Sequence, residues 1–212
     1  MKKRNRPVII DDVAVDLRLY DELFSLHDEI CRRFPPSQFR SAGVDALNLD
    51  FSPPGSFVNY GYWCTPLNTL SFAQTGGDGE HYSFLVADNR IDENSPIILT
   101  APSYCGRNLV IAPDFKTFLR AGLSRAFFGL AEFAYNKEKA LLVYGSDKWL
   151  PTTPSDYSKG FVPEADEKKV MEFVAQELKL EPYFYSEAEF DKMQAALDGL
   201  EMSEEYHDMV DP

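Results

Sequence analysis

The chain has 212 residues, with 34 Asp and Glu against 21 Lys and Arg and a formal net charge of −13 at pH 7. Such acidity argues against binding nucleic-acid phosphates or anionic membrane surfaces, both of which need clustered Lys and Arg. With 44% apolar and 14% aromatic residues, the chain is not a disordered polyelectrolyte, and its length suits a single domain spanning residues 1–212.

Residues 11–34 predict a first helix, because Leu19, Leu23, Leu26 and Ile30 recur at steps of three and four with charges between them. Pro35 and Pro36 end it. The middle of the chain reads as short strands. Apolar runs at 57–63, 70–73, 82–87, 97–99 and 109–111 are separated by Thr75-Gly76-Gly77-Asp78-Gly79, by Asp92-Glu93-Asn94-Ser95-Pro96 and by Cys105-Gly106-Arg107-Asn108. Strands at this spacing, with no helical pattern between them, predict a mostly antiparallel sheet. The Gly-rich run between 70–73 and 82–87 predicts a hairpin turn built on Gly76, Gly77, Asp78 and Gly79.

The period changes after Pro113. Phe115, Phe118, Leu119 and Leu123 predict a helix capped by Asp114 and continuing through residues 125–135. Residues 148–160 are rich in Pro, Thr, Ser and Asp and predict an exposed loop. Residues 166–178 and 187–200 predict two amphipathic helices. The first buries Val170, Phe173, Val174 and Leu178; the second buries Phe190, Met193, Ala196, Leu197 and Leu200. Residues 201–212 are expected to fray. The fold class is α+β, a central mostly antiparallel sheet flanked by an N-terminal helix and C-terminal helices.

The charge is uneven. Residues 159–212 hold 15 acidic and 5 basic residues, net −10, whereas residues 1–158 hold 19 and 16, net −3. The sequence therefore divides into a sheet-bearing body, about residues 7–147, and an acidic helical C-terminal extension, about 159–212. A solvated helix surface accounts for such a face; a basic protein partner would also be drawn to it. Glu164, Glu172, Glu177 and Glu187, with the aromatic pair Tyr183 and Tyr185, are the candidate partner-binding residues.

The chemistry-bearing residues gather at the Gly-rich turn, where Asp78, Glu80 and His81 place ionisable groups side by side. Read as an acid–base trio, they make the chain a small hydrolase or transferase. The pattern fits no phosphate loop, since the required Lys is missing, and no dinucleotide loop, since a strand follows where a helix is needed. There is no Gly-x-Ser-x-Gly elbow. The other histidines, His27 and His207, lie near opposite ends, so the sequence supplies no metal-ligand set and no cofactor pattern. Cys31, Cys64 and Cys105 are odd in number and widely spaced, which suits reduced thiols in a cytoplasmic protein. No apolar run approaches the length of a membrane span, and Val8-Ile9-Ile10 is too short for a signal-peptide core.

Residues 65–85, Thr-Pro-Leu-Asn-Thr-Leu-Ser-Phe-Ala-Gln-Thr-Gly-Gly-Asp-Gly-Glu-His-Tyr-Ser-Phe-Leu, resemble the SUKH superfamily of yeast cell-wall synthesis regulators and bacterial immunity proteins. Ser95-Pro-Ile-Ile-Leu99 and Asn108-Leu-Val-Ile-Ala-Pro-Asp-Phe-Lys-Thr-Phe-Leu119 extend the likeness over about residues 57–130. Pro35-Pro36-Ser37-Gln38-Phe39 only loosely echoes the family's opening Leu-Pro-x-x-Tyr segment. The resemblance implies an α+β fold and a non-enzymatic binding role. The implied partner is a protein such as a basic toxin or nuclease domain, with no catalytic residues and a purely structural Gly76–Gly79 turn. The sequence sets no oligomeric state.

Overall fold

The structure is a computed structural model describing residues 12–34, 43–145 and 165–210. Its centre is a five-stranded antiparallel sheet in the order β2 (Asp50–Phe51), β3 (Thr69–Gln74), β4 (His81–Leu85), β6 (Ile97–Ala101) and β7 (Arg107–Ala112). A separate parallel pair joins β1 (Ala14–Asp16) to β5 (Arg90–Asp92). The α+β class follows directly. Among the described residues, no helix is long and apolar enough to cross a membrane.

Side chains alternate across a strand, and here the two faces of the sheet have different chemistry. Leu70, Ala73, Tyr82, Phe84, Ile97 and Leu99 fall on one face by register, and Phe72, at the register shift in β3, joins them in the core. They meet α1 (Arg18–Ser25) and α3 (Phe115–Arg125) in an aromatic core. Phe72 and Phe84 lie 4.4 Å apart between centroids, with Tyr20 and Phe115 around them. Ser71, His81, Ser83, Ile98 and Thr100 line the other face and are fully buried. Polar side chains survive burial only when hydrogen-bonded. Ser71 pairs with Ser83 at 2.9 Å, Thr100 donates to Asn108 at 2.7 Å, and His81 meets Thr65. Among the described residues no buried side-chain polar atom lacks a partner.

The predicted first helix does not begin at residue 11. Residues 14–16 form β1 instead, paired with Arg90–Asp92, and Arg90 bonds both Asp16 and Asp92. The helix then starts at Arg18 and is broken at Leu26, giving α1 and α2 (His27–Arg33). Leu17 provides no side-chain cap; the Glu93 carboxylate, 74 residues away, accepts from the Leu19 amide at 2.7 Å. Both elements of this entry are therefore fixed by the residue 90–93 segment, a partner that local periodicity cannot reveal.

Asp114 caps α3 as expected, accepting from the Thr117 amide at 2.6 Å. The helix does not continue to residue 135. It stops at Arg125, where Ala126 adopts φ +90°, and the chain turns back so that the Phe127 ring lies over Gly122. A Cβ on Gly122 would stand 2.2 Å from that ring, so the reversal depends on glycine. A 3₁₀ turn, Phe128–Ala131, then leads into α4 (Glu132–Tyr135) and α5 (Lys137–Tyr144).

The predicted loop at 148–160 lies outside the described residues. Beyond it, α6 (Ala165–Glu177) buries Val170, Phe173 and Val174, as its pattern predicts, and Met171 as well, whereas Leu178 falls past the helix end and is only partly buried. The second C-terminal helix is shorter than predicted: α7 (Glu187–Met193) gives way to a 3₁₀ turn, Gln194–Gly199, and of its expected core residues only Phe190 is fully buried. Residues 201–210 do not simply fray; Glu204–Val210 forms α8.

These C-terminal elements share the core of the body. Phe190 stacks on Phe133 at 4.6 Å, and the Tyr185 hydroxyl donates to the Ile111 carbonyl at 2.7 Å. Gln194 covers the β7 edge of the sheet. Its side-chain amide donates to the Val110 carbonyl and accepts from the Val110 amide, at 2.9 and 3.1 Å. One carboxamide thus takes the place of a further strand at an edge otherwise open to association. Replacing Tyr185 by Ala should cost about 3–5 kcal/mol of stability, and by Phe about 1 kcal/mol, in chemical unfolding. Equal, small losses for both would show that the C-terminal segment is not part of the core.

Candidate functional site

The Gly-rich turn closes the β3–β4 hairpin as predicted. The Thr75 amide donates to the Glu80 carbonyl at 3.0 Å, and Gly76 and Gly79 adopt φ +74° and +87°, which L side chains resist. Gly79 also lies against the Tyr62 ring, where a Cβ would come within 3.1 Å. The turn is thereby pressed between Tyr62 on one side and Glu80 on the other.

The trio Asp78, Glu80 and His81 does not converge. Strand alternation sends Glu80 and His81 to opposite faces. His81 is fully buried, with Nδ1 2.8 Å from the Gly79 carbonyl and Nε2 3.2 Å from the Thr65 hydroxyl. Tyr62 stacks on its ring, and Tyr60 meets it edge-on. Burial disfavours the imidazolium and pushes its pKa down to about 4, against the raising influence of the Gly79 carbonyl and the Glu80 charge. Both ring nitrogens are occupied, so His81 is a packed, neutral residue of the polar sheet face.

Glu80 and Asp78 instead line a groove of about 590 Å³ between the hairpin turn and the Phe128–Tyr144 helices. Glu80 is only 6% exposed as a whole residue. It accepts from the Tyr135 hydroxyl, from Ser103 Oγ at 3.0 Å and from Thr75 Oγ1 at 3.1 Å. Burial alone raises its pKa, but the hydrogen bonds from Tyr135, its own backbone, Ser103 and Thr75 outweigh burial and hold it below the usual value. Burial, and then the same bond to Glu80, push the Tyr135 phenol up to about 12. The pair is thus a settled donor and acceptor at neutral pH, with the carboxylate ionised and engaged by three side-chain donors. Such a group is suited to holding structure, not to exchanging protons.

Around this anchor lies an exposed aromatic rim. Phe128 is 41% exposed, Tyr104 40% and Tyr135 36%, and the Tyr104 and Tyr135 rings lie 5.1 Å apart. Ala131, Ala140, Val143 and Tyr144 add apolar lining. The acids are Asp78, Glu80 and Glu132; the cation is Lys139, already paired with Glu132 at 2.9 Å. Ser103, Tyr104, Phe128 and Tyr135 escape sequence reasoning because they lie 23 to 55 residues from the turn they surround. The sole local hint is a tyrosine in the Ser103-Tyr104-Cys105-Gly106 turn, where polar residues are usual.

The other candidates separate by position. Glu172, Glu177 and Glu187 are exposed, with Glu187 bonded to Lys137 at 3.1 Å and Glu172 3.8 Å from Lys168. Glu164 lies outside the described residues. Tyr185 is 2% exposed and is a core residue, not a surface for a partner, because its hydroxyl is spent on Ile111. Tyr183 is half-buried, with Arg120 over its ring at 5.5 Å. Cys64 is buried, and burial pushes its thiol up to about 12, which leaves it unreactive; Cys105 is exposed. Among the described residues no group of three or more His, Cys, Asp or Glu is placed to hold a metal ion.

His81 carries a pH signature. Its folded pKa of about 4 lies below the ordinary 6.5, so the unfolded chain binds this proton first. The stability from the neutral ring is complete above pH 6.5 and is lost as pH falls toward 4. From this residue alone the fold should lose about 2 kcal/mol between pH 7 and pH 5. The imidazole NMR signals should still report a neutral ring at pH 5; a midpoint near 6.5 would show that His81 is solvated.

No family model matches the chain, and neither a curated protein nor a solved structure matches it.

Proposed function

We propose that the chain is a non-enzymatic protein-binding module whose partner is a basic protein. One observation carries this reading. The α6 and α7 helices spend their apolar sides on the common core and, together with α8, which buries no residue, leave carboxylates in solvent: Glu172, Glu177, Glu187, Glu204, Glu205 and Asp208 are all exposed. A predominantly acidic surface of this kind, even with Lys168, Lys169 and Lys192 among its exposed residues, accelerates encounter with a partner of opposite charge and repels phosphate backbones. Against the competing hydrolase or transferase reading stand the enclosure of His81 and the engagement of Glu80 by its neighbours, which leave Asp78 as the exposed member of the trio. The likeness of residues 57–130 to SUKH proteins belongs to the same proposal, with a toxin or nuclease domain as one partner of suitable charge. A cytoplasmic setting, with Cys31, Cys64 and Cys105 as free thiols, goes with it.

Affinity capture with the full chain as bait tests the reading. A basic protein should be retained at low salt and released as ionic strength rises. The triple variant Glu172→Lys, Glu177→Lys, Glu187→Lys should retain about tenfold less, while its thermal unfolding stays close to that of the parent. Retention indifferent to both salt and charge reversal would contradict the proposal.

A further inference from the structure

We propose that the groove beside the Thr75–Glu80 turn docks an amphipathic segment of the partner, one that sets Arg or Lys beside apolar side chains. This inference rests on the basic-partner reading and names the place of contact. The acidic helices supply a long-range field, but exposed charges contribute little to the lifetime of a complex. Lifetime comes from a few well-packed anchors, with aromatic residues foremost. The groove is where the described surface gathers them.

Three features point to the occupant. The apolar part is formed by Phe128, Ala131, Val143 and Tyr144, and so takes apolar side chains. The charge is negative: three carboxylates face one ammonium, and that ammonium is paired with Glu132. Asp78 is exposed at the tip of the turn, while Glu80 adds its charge from a buried position, where fields are less screened. The exposed rings of Tyr104 and Tyr135 offer faces on which a guanidinium or ammonium can rest. A second copy of the chain is a poor occupant, since each copy carries −13.

The groove is also built in advance. Glu80 ties the hairpin turn to Ser103 and to Tyr135 of α4, so little ordering is left to be done on binding. At the start of α5, next along the chain from the groove wall, Lys137 bonds Glu187 and Asp191 of α7 at 3.1 and 2.6 Å.

Gly77 supplies a clean test. It lines the groove, its φ is not in the left-handed region, and a Cβ added there meets no atom of the described residues within 4 Å. Gly77→Arg therefore obstructs the groove and reverses its charge without disturbing the fold. The probes are a labelled Arg–Leu repeat peptide and an Arg–Ser repeat of equal length and charge, titrated against the full chain at about 0.15 M salt. The Arg–Leu peptide should bind about tenfold more tightly than the Arg–Ser peptide. Gly77→Arg and, separately, Phe128→Ala should each weaken it about tenfold. The Glu172→Lys, Glu177→Lys, Glu187→Lys variant should change it less than about threefold. Equal affinity for the two peptides, no binding of either, or undiminished binding by Gly77→Arg would overturn the inference. If the host protein captured by the parent is held equally well by Gly77→Arg but lost on helix charge reversal, the groove is wrong and the basic-partner reading stands. If no basic protein is captured at all, the reading itself fails.

Discussion

The Glu80 carboxylate is the interaction on which the described surface depends. Taking a carboxylate out of water costs several kcal/mol unless donors replace the water. Glu80 finds donors in three separate parts of the chain: Thr75 in its own hairpin, Ser103 in the β6–β7 turn, and Tyr135 in α4. Charged hydrogen bonds contribute about 1.5–3 kcal/mol each, enough together to offset the burial. The result joins sheet and helices at one point. It keeps Glu80 ionised and Tyr135 protonated, and it leaves Asp78 as the solvent-facing acid of the turn.

The same residue pair divides the sheet chemically. Glu80 and His81 are neighbours in sequence, yet one faces the groove and the other enters a buried layer of Ser71, Ser83, Thr65 and Thr100. A trio that reads as catalytic in one dimension becomes two structures in three. His81 is spent on holding the turn to the residue 60–65 segment, and Glu80 on holding it to the helices. Together they present an acidic turn with exposed aromatic residues beside it, near helices whose carboxylates face water.

Local patterns reveal much of this fold and little of its site. The β3–β4 hairpin is legible because glycine is needed at Gly76 and Gly79, and α3 is legible from Asp114 onward because a cap acts within three residues. The core side of α6 follows from period alone. The entry of α1 is not legible, because its first amides are answered by Glu93 and the preceding strand by Arg90. The end of α3 is not legible either, because Ala126 reverses only so that Phe127 can fold over Gly122. Tyr185 looks like a surface aromatic until its hydroxyl is placed on Ile111. The division into body and extension reflects charge, whereas packing runs across it through Phe133, Tyr185, Phe190 and Gln194. The groove is the extreme case, since each part of its wall is ordinary in sequence and only their convergence on Glu80 is informative.

A double-mutant cycle on Glu80→Gln and Tyr135→Phe, measured by chemical unfolding at pH 7, reports whether the Glu80 carboxylate holds the hairpin turn to α4. If the buried carboxylate binds the turn to α4, the two changes should be coupled by about 1–2 kcal/mol. Strictly additive losses would mean that Glu80 does not hold the turn against the helix. The groove would then have no preformed wall.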